Sequence, residues 1–153
     1  MREPHIDEHG AARMVDVGGK PDQRRSASAR ATVRLGQAAM DALAEGSLAK
    51  GDALAVARIA AIQAAKRTPD IIPLCHPLAI DHASADISLD ADALLVTVTT
   101  TVGTTGRTGV EMEALTAAAA GALAVYDMVK GQEGPAPVIE QVVLLEKLSL
   151  IHI

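Results

Sequence analysis

The sequence predicts an α+β domain, one antiparallel sheet with helices packed on one of its faces. Three observations lead there. Several stretches alternate apolar and polar residues with period two, as half-buried strands do. Between them lie Ala-rich stretches with helical spacing and recognisable ends. The two kinds then follow one another as strand, helices, strand, strand, helix, strand, which is the βαββαβ order of split-βαβ, ferredoxin-like folds.

Residues 1–27 are polar, contain Gly18-Gly19 and Pro21, and read as an irregular N-terminal arm. From Ser28 the chain alternates, with Ala29, Ala31, Val33 and Leu35 facing one way and Ser28, Arg30, Thr32 and Arg34 the other. Gln37 to Glu45 reads as a helix that ends at Gly46. Asp52 is the expected N-cap of a second helix, which runs through Leu54, Val56, Ile59 and Ile62 to Lys66. Thr68 to Pro77 is a proline-punctuated loop. A strand follows over roughly 79–89, with Ala83, Ala85, Ile87 and Leu89 on one face, and Asp90-Ala-Asp92 turns the chain into another strand carrying Leu94, Val96, Val98 and Val102. A Gly/Thr-rich loop, Gly103 to Gly109, leads into a long Ala-rich helix that stops at Gly131, and a last strand passes through Val138, Val142 and Leu144. The domain proper is therefore expected over 28–147, with 148–153 as an atypical tail.

Composition narrows the function. At 153 residues and 49% hydrophobic the chain can build one core, but with one Tyr and no Phe or Trp that core must be aliphatic. So many alanines imply helices that approach their neighbours closely. A net charge of −5 and the lack of stacking aromatics argue against a nucleic-acid partner. Cys75 is the only cysteine, so no internal disulfide is possible. With no apolar signal core and no apolar run near the roughly 18 residues of a membrane helix, a cytoplasmic location without a membrane partner is expected. Charge is uneven: residues 1–67 hold 11 of the 14 Lys/Arg, whereas 68–153 hold 3 of them and 11 Asp/Glu. The first part can offer cations to an anionic ligand and the second can offer carboxylates.

The long helix concentrates the ionisable chemistry. Thr108 and Glu111 have the spacing of a capping box, which gives Glu111 a structural explanation. Glu113 has none, and its place in the first turns suits ligand contact. At the far end Asp127 and Lys130 are spaced i, i+3; the dipole favours Lys130 there and opposes Asp127. Fourteen residues separate Glu113 from Asp127, about 21 Å along a helix, so one small ligand cannot touch both within one chain. Either one of them is structural, or each end of the helix feeds a site completed by another subunit.

Cys75-His76, held between Pro73 and Pro77, lacks chelate spacing, so no metal site is expected. His76 reads equally as a hydrogen-bonding or proton-transfer group and as a satisfied loop histidine. Lys50-Gly51-Asp52 sets a lysine just before a helix N-terminus, where dipole and backbone donors attract phosphate and would lower a lysine's pKa. Arg25 and Lys66, and more weakly Lys20 and Arg67, are further candidate cations.

Six blocks, in order along the chain, carry a family resemblance: Met14-Val-Asp-Val17, Lys50-Gly-Asp52, Ala57-Arg-Ile-Ala60 with Gln63 to Thr68, Ile72-Pro-Leu-Cys-His-Pro-Leu78, Thr108 to Thr116, and Tyr126-Asp-Met128. Together they resemble the MoaC family, the cyclic pyranopterin monophosphate synthases of molybdenum cofactor biosynthesis. The resemblance implies a ferredoxin-like subunit in a homohexamer, a trimer of dimers. It implies the small-molecule substrate 3′,8-cyclo-7,8-dihydro-GTP and a lyase reaction that releases pyrophosphate. Asp127 matches the family's assigned active-site residue, with Lys50 and Lys130 acting beside it. Leu74, Cys75, His76, Met112 and Glu113 match its substrate contacts, to which Glu111, Arg25 and Lys66 are added as binding candidates. No cofactor is required, and Mg²⁺ on the triphosphate is left open. Two departures stand out: Gly18 where the family has Ser, and the apolar ending Leu148 to Ile153. The competing reading is an inactive purine- or pterin-nucleotide binding module of the same fold. It would need Glu113 and the cations, but not Asp127 and the lysines as proton carriers.

Overall fold

The computed structural model describes residues 5–150. Its elements are β1 (Gln23–Arg34), α1 (Gln37–Glu45), α2 (Ala53–Lys66), α3 (Thr68–Ile71), β2 (Ile80–Asp90), β3 (Leu95–Gly106), α4 (Glu111–Val129) and β4 (Val138–Leu150). The sheet order is β2-β3-β1-β4, and every neighbouring pair is antiparallel. The expected α+β, ferredoxin-like arrangement is therefore present.

Alternation decides which sheet face is covered. Ala27, Ala29, Ala31 and Val33 of β1 and Val96, Val98, Thr100 and Val102 of β3 are buried, while their odd-numbered or even-numbered neighbours on the other face stay half-exposed. Against that face lies α4, which buries Ala114, Ala117, Ala118, Gly121, Ala122 and Val125. The small side chains bring it close. A Cβ on Gly121 would sit 2.8 Å from Val98 Cγ1 and 3.5 Å from Ala61 Cβ of α2. Thr100 seals the contact by donating its buried hydroxyl to the Ala114 carbonyl at 2.7 Å.

Local signals set the first two helices where the sequence places them. Gly46 adopts φ 69 and donates its N–H to the Ala42 and Leu43 carbonyls, ending α1 in the left-handed conformation that glycine takes without strain. Asp52 caps α2 by accepting from Leu54 N and Ala55 N, each at 3.1 Å.

Three expectations are corrected. β1 begins at Gln23, not Ser28, because Gln23 to Ser26 pair with Gly106 to Gly103. By the same pairing most of the expected Gly/Thr-rich loop is strand, and the loop proper is confined to 107–110. Thr68 to Ile71 forms a helical turn with proline near its start, and Thr68 donates its hydroxyl back to the Ala64 carbonyl at 2.8 Å. Residues 148–150 continue β4 beside Arg24, Arg25 and Ser26; residues 151–153 of the expected tail lie outside the described residues.

By length and composition alone α4 would suffice to cross a membrane, since scattered polar residues hide an apolar average from a count of consecutive apolar positions. Half of that window is buried inside the fold, against α2 and the sheet, so its apolar character belongs to the core.

Candidate active site

Two clusters of ionisable side chains lie at the two ends of α4. The first surrounds a cleft of about 580 Å³, a size suited to a nucleotide-like ligand. Into it the arm contributes Val15 to Val17 and Lys20, β1 Arg25, the proline-rich loop Cys75 and His76, α4 Glu111, Met112 and Glu113, and β4 Lys147.

Several of these side chains are held from elsewhere in the fold. His76 meets the Val15 carbonyl at 2.6 Å, and since a carbonyl only accepts, Nε2 carries the proton and pins the arm over the cleft. Asp16 steadies the next turn by accepting from Gly18 N at 2.8 Å; a side chain added at Gly18 would start 3.1 Å from that same oxygen. Arg25 donates from Nε to the Gly106 carbonyl at 3.0 Å, from Nη2 to the Arg107 carbonyl at 3.3 Å and from Nη1 to Ser149 Oγ at 3.3 Å. Its charge is thus fixed beside the cleft by the end of β3 and the end of β4.

The capping box expected from Thr108 and Glu111 is absent. Val110, fully buried, is the N-cap and makes no side-chain cap bond, so α4 starts at Glu111. Burial of Val110 in the core sets the point of entry. The Glu111 carboxylate instead folds back over Gly109, where a Cβ would lie 1.8 Å from Oε1, and pairs with Lys147 Nζ at 3.4 Å. That Oε1, within ion-pair range of Lys147, accepts no hydrogen bond of good geometry among the described residues, which leaves a buried acceptor at the cleft.

Glu113 is 2% exposed and receives the Cys75 thiol at 3.5 Å on Oε2 and 3.9 Å on Oε1. Burial pushes its carboxyl above the usual carboxylate range; its own backbone N–H and then the Cys75 thiol oppose the rise, and Glu111 adds to it. The Cys75 thiol is pushed up to about 12, first by burial and then by the charge of Glu113. A thiol that keeps its proton so firmly is a hydrogen-bond donor and not a nucleophile.

The second cluster sits at the C-terminal end of α4. Gly51, at φ 107, turns the chain between Lys50 and the cap of α2, and Lys50 then reaches α4. Its Nζ donates to the Asp127 carbonyl at 2.8 Å and lies 3.4 Å from Asp127 Oδ1, while Lys130 Nζ lies 3.0 Å from the same Oδ1. Lys130, then Lys50, hold the Asp127 carboxyl below the usual carboxylate range. Two ammonium groups and one carboxylate in contact, all partly exposed, form a set able to pass protons.

The structure therefore gathers Glu111, Met112, Glu113, Cys75, His76 and Arg25 at one end and Lys50, Asp127 and Lys130 at the other. Leu74 is half-buried outside the cleft lining, and Lys66 and Arg67 are exposed at the end of α2, also outside it. Since α4 is one unbroken helix, the two clusters stay about 21 Å apart within the chain. Sequence reasoning missed Lys147 and Ser149. The signal for Lys147 was available, because it is one of only 3 Lys/Arg beyond residue 67. Nothing local marked Ser149. Among the described residues no three His, Cys, Asp or Glu side chains converge as metal ligands.

Comparison with known proteins adds the following. Residues 14–149 match the model of the MoaC family. The cyclic pyranopterin monophosphate synthase of Roseiflexus sp. (strain RS-1) is 56% identical over 126 residues, covering 82% of this chain and 80% of its own. That of Novosphingobium aromaticivorans is 52% identical over 143 residues, covering 94% and 89%. Cyclic pyranopterin monophosphate synthase 1 of Mycobacterium bovis is 52% identical over 144 residues, covering 94% and 83%.

Proposed function

This chain belongs to the MoaC family, and from that premise we propose that it converts 3′,8-cyclo-7,8-dihydro-GTP into cyclic pyranopterin monophosphate. The reaction is a lyase step of molybdenum cofactor biosynthesis and releases pyrophosphate. The observation that carries the reading is Asp127 Oδ1 held between Lys50 and Lys130. A nucleotide-binding module that performed no chemistry would not need this set to pass protons.

Opening the reduced purine and building the pyrazine ring require repeated proton transfers. Lys50, Asp127 and Lys130 supply donors and an acceptor in mutual contact, so a proton can be taken at one atom and returned at another. Closing the cyclic phosphate needs a ribose hydroxyl to attack the α-phosphorus as pyrophosphate leaves. In this reading the cations that line the cleft, Arg25 with Lys20 and Lys147, hold the departing charge, and Glu111 and Glu113, which line it too, accept from the N–H edge of the base. Lys66 remains a candidate phosphate contact from the helix end. Asp127, Lys50 and Lys130 are thus assigned to catalysis, and the cleft residues to binding. No redox cofactor enters this reading. Whether Mg²⁺ must accompany the triphosphate is decided by turnover in the presence of a chelator.

Both clusters serve one substrate only if a second subunit brings its own helix end to the cleft, and the resemblance to the MoaC family implies that this assembly is a homohexamer, a trimer of dimers. Exposed apolar residues support self-association: Val56, Ile59 and Leu123 on the α2/α4 flank, and Val142, Leu144, Leu145 and Leu148 on the edge strand β4. The single Cys75 supports a reducing, cytoplasmic setting. Anaerobic incubation with the cyclised dihydro-GTP, following pyrophosphate and the cyclic pyranopterin phosphate together, tests the function. Both products in equal amounts are expected; binding without either would return the chain to the binding-module reading.

A further inference from the structure

We propose that Cys75 is a positioning residue for Glu113: its thiol donates to the Glu113 carboxylate and holds it turned into the cleft, toward the N–H donors of the substrate's purine-derived ring. The role of Glu113 as a substrate contact rests on the synthase reading; the Cys75–Glu113 contact itself does not. Glu113 is among the largest fully buried side chains of the molecule, yet it is a carboxylate that lines the cleft. Its side-chain partner among the described residues is Cys75, at 3.5 Å to one oxygen and 3.9 Å to the other. The carboxylate's own backbone N–H also bonds it, and Cys75 is the donor that arrives from another element; it fixes the carboxylate's direction only while it keeps its proton.

The surroundings ensure that it does. Cys75 sits between Glu113 and the carbonyl of His76, which lies 3.8 Å from the sulfur. The charged groups facing the pair are Glu111 on the same helix, Lys147 on β4, Arg25 on β1 and Lys20 and Asp16 on the arm. Lys147 is paired with Glu111, and Arg25 is committed to two carbonyls and Ser149, so neither approaches the sulfur as a counter-ion. With burial and the Glu113 charge acting on it, the thiol stays protonated through the working pH range.

Because Cys75 is the only cysteine, alkylation reports on this thiol alone, and the Glu113 variant separates the contact from burial. In the assembled wild-type protein, the iodoacetamide rate should still be climbing at pH 10, without the plateau of an ordinary thiol. Glu113→Gln should speed alkylation at pH 8 by about tenfold or more, since each pKa unit is about tenfold in thiolate. A plateau near pH 9 in the wild type, or an unchanged rate in Glu113→Gln, overturns the proposal. In turnover, Cys75→Ala should lower kcat/KM about tenfold, the scale of one hydrogen bond to a charged group, while Cys75→Ser, which keeps a donor, stays within about threefold. Wild-type activity in Cys75→Ala, or equal loss in both variants, also overturns it. If the wild type forms no product at all, the synthase reading fails and the alkylation series still decides the contact.

Discussion

Lys50 Nζ donates to the backbone carbonyl of Asp127 at 2.8 Å and stands 3.4 Å from its carboxylate, although 77 residues separate the two. That contact ties the turn before α2 to the last turn of α4. It also gives Asp127 a reason to occupy a helix end whose dipole opposes its charge: two lysines offset the cost.

Asp127→Asn should keep the fold and assembly and lose at least about a hundredfold in kcat, because the acceptor of the proton-passing set is gone while its volume remains. The ionised Asp127 contributes stability above the ordinary carboxylate value near 4, lost only as pH falls through its depressed folded value. Around neutrality that contribution is fully present but screened, since the side chain is 59% exposed. Circular dichroism and mass measurement should therefore match the wild type while product formation collapses. Wild-type turnover by this variant would remove Asp127 from the mechanism.

What could be read from the sequence divides along local and non-local lines. Gly46 and Asp52 act on their own helices, so both boundaries are legible from neighbours a few residues away. The start of α4 is not. Its apparent capping box is overruled by the burial of Val110 and by Lys147, a partner from the last strand. The first residues of β1 carry no apolar alternation, and only pairing with β3 and with Leu148 to Leu150 makes them strand. Likewise Asp127 announces itself by sitting against the helix dipole, whereas Ser149 matters through Arg25 and Gln23, which meet it from the neighbouring strand.

Gly121→Ala tests the close approach of α4. Alanine gains about 1 kcal/mol of helix propensity over glycine. Its Cβ, however, would lie 2.8 Å from Cγ1 of Val98, a fully buried and stiff β-branched side chain that has nowhere to turn. Overpacking costs of about 1–3 kcal/mol should win, so Tm falls by a few degrees, at roughly 2–4 °C per kcal/mol for a chain of this size. A raised Tm would mean that helix and sheet separate more easily than their packing implies.

Gly109→Ala should leave Tm nearly unchanged but weaken substrate binding. The added Cβ collides with the far end of the Glu111 side chain, which can swing away, and not with backbone. In swinging it leaves Lys147 and carries its buried acceptor out of the cleft. Loss of about 1 kcal/mol of binding raises KM roughly fivefold with kcat little altered. A fall in kcat at unchanged KM would place Glu111 in the chemical step.

Glu113→Gln separates stability from activity. An unfolded glutamate titrates near 4.3, and burial raises the folded value above that. Between the two values the native state binds more protons than the unfolded chain, so stability falls as pH rises through this window, and the loss persists above it. Glutamine carries no charge to desolvate. The variant's Tm should therefore depend less on pH between 4 and 8 and should equal or exceed the wild-type Tm at pH 8, while kcat/KM drops. Thermal melts of both proteins at pH 4, 6 and 8 measure the difference. A variant that melts well below the wild type at pH 8 would show that the ionised carboxylate stabilises the fold, and the buried Glu113 would then belong to the architecture of the cleft before its chemistry.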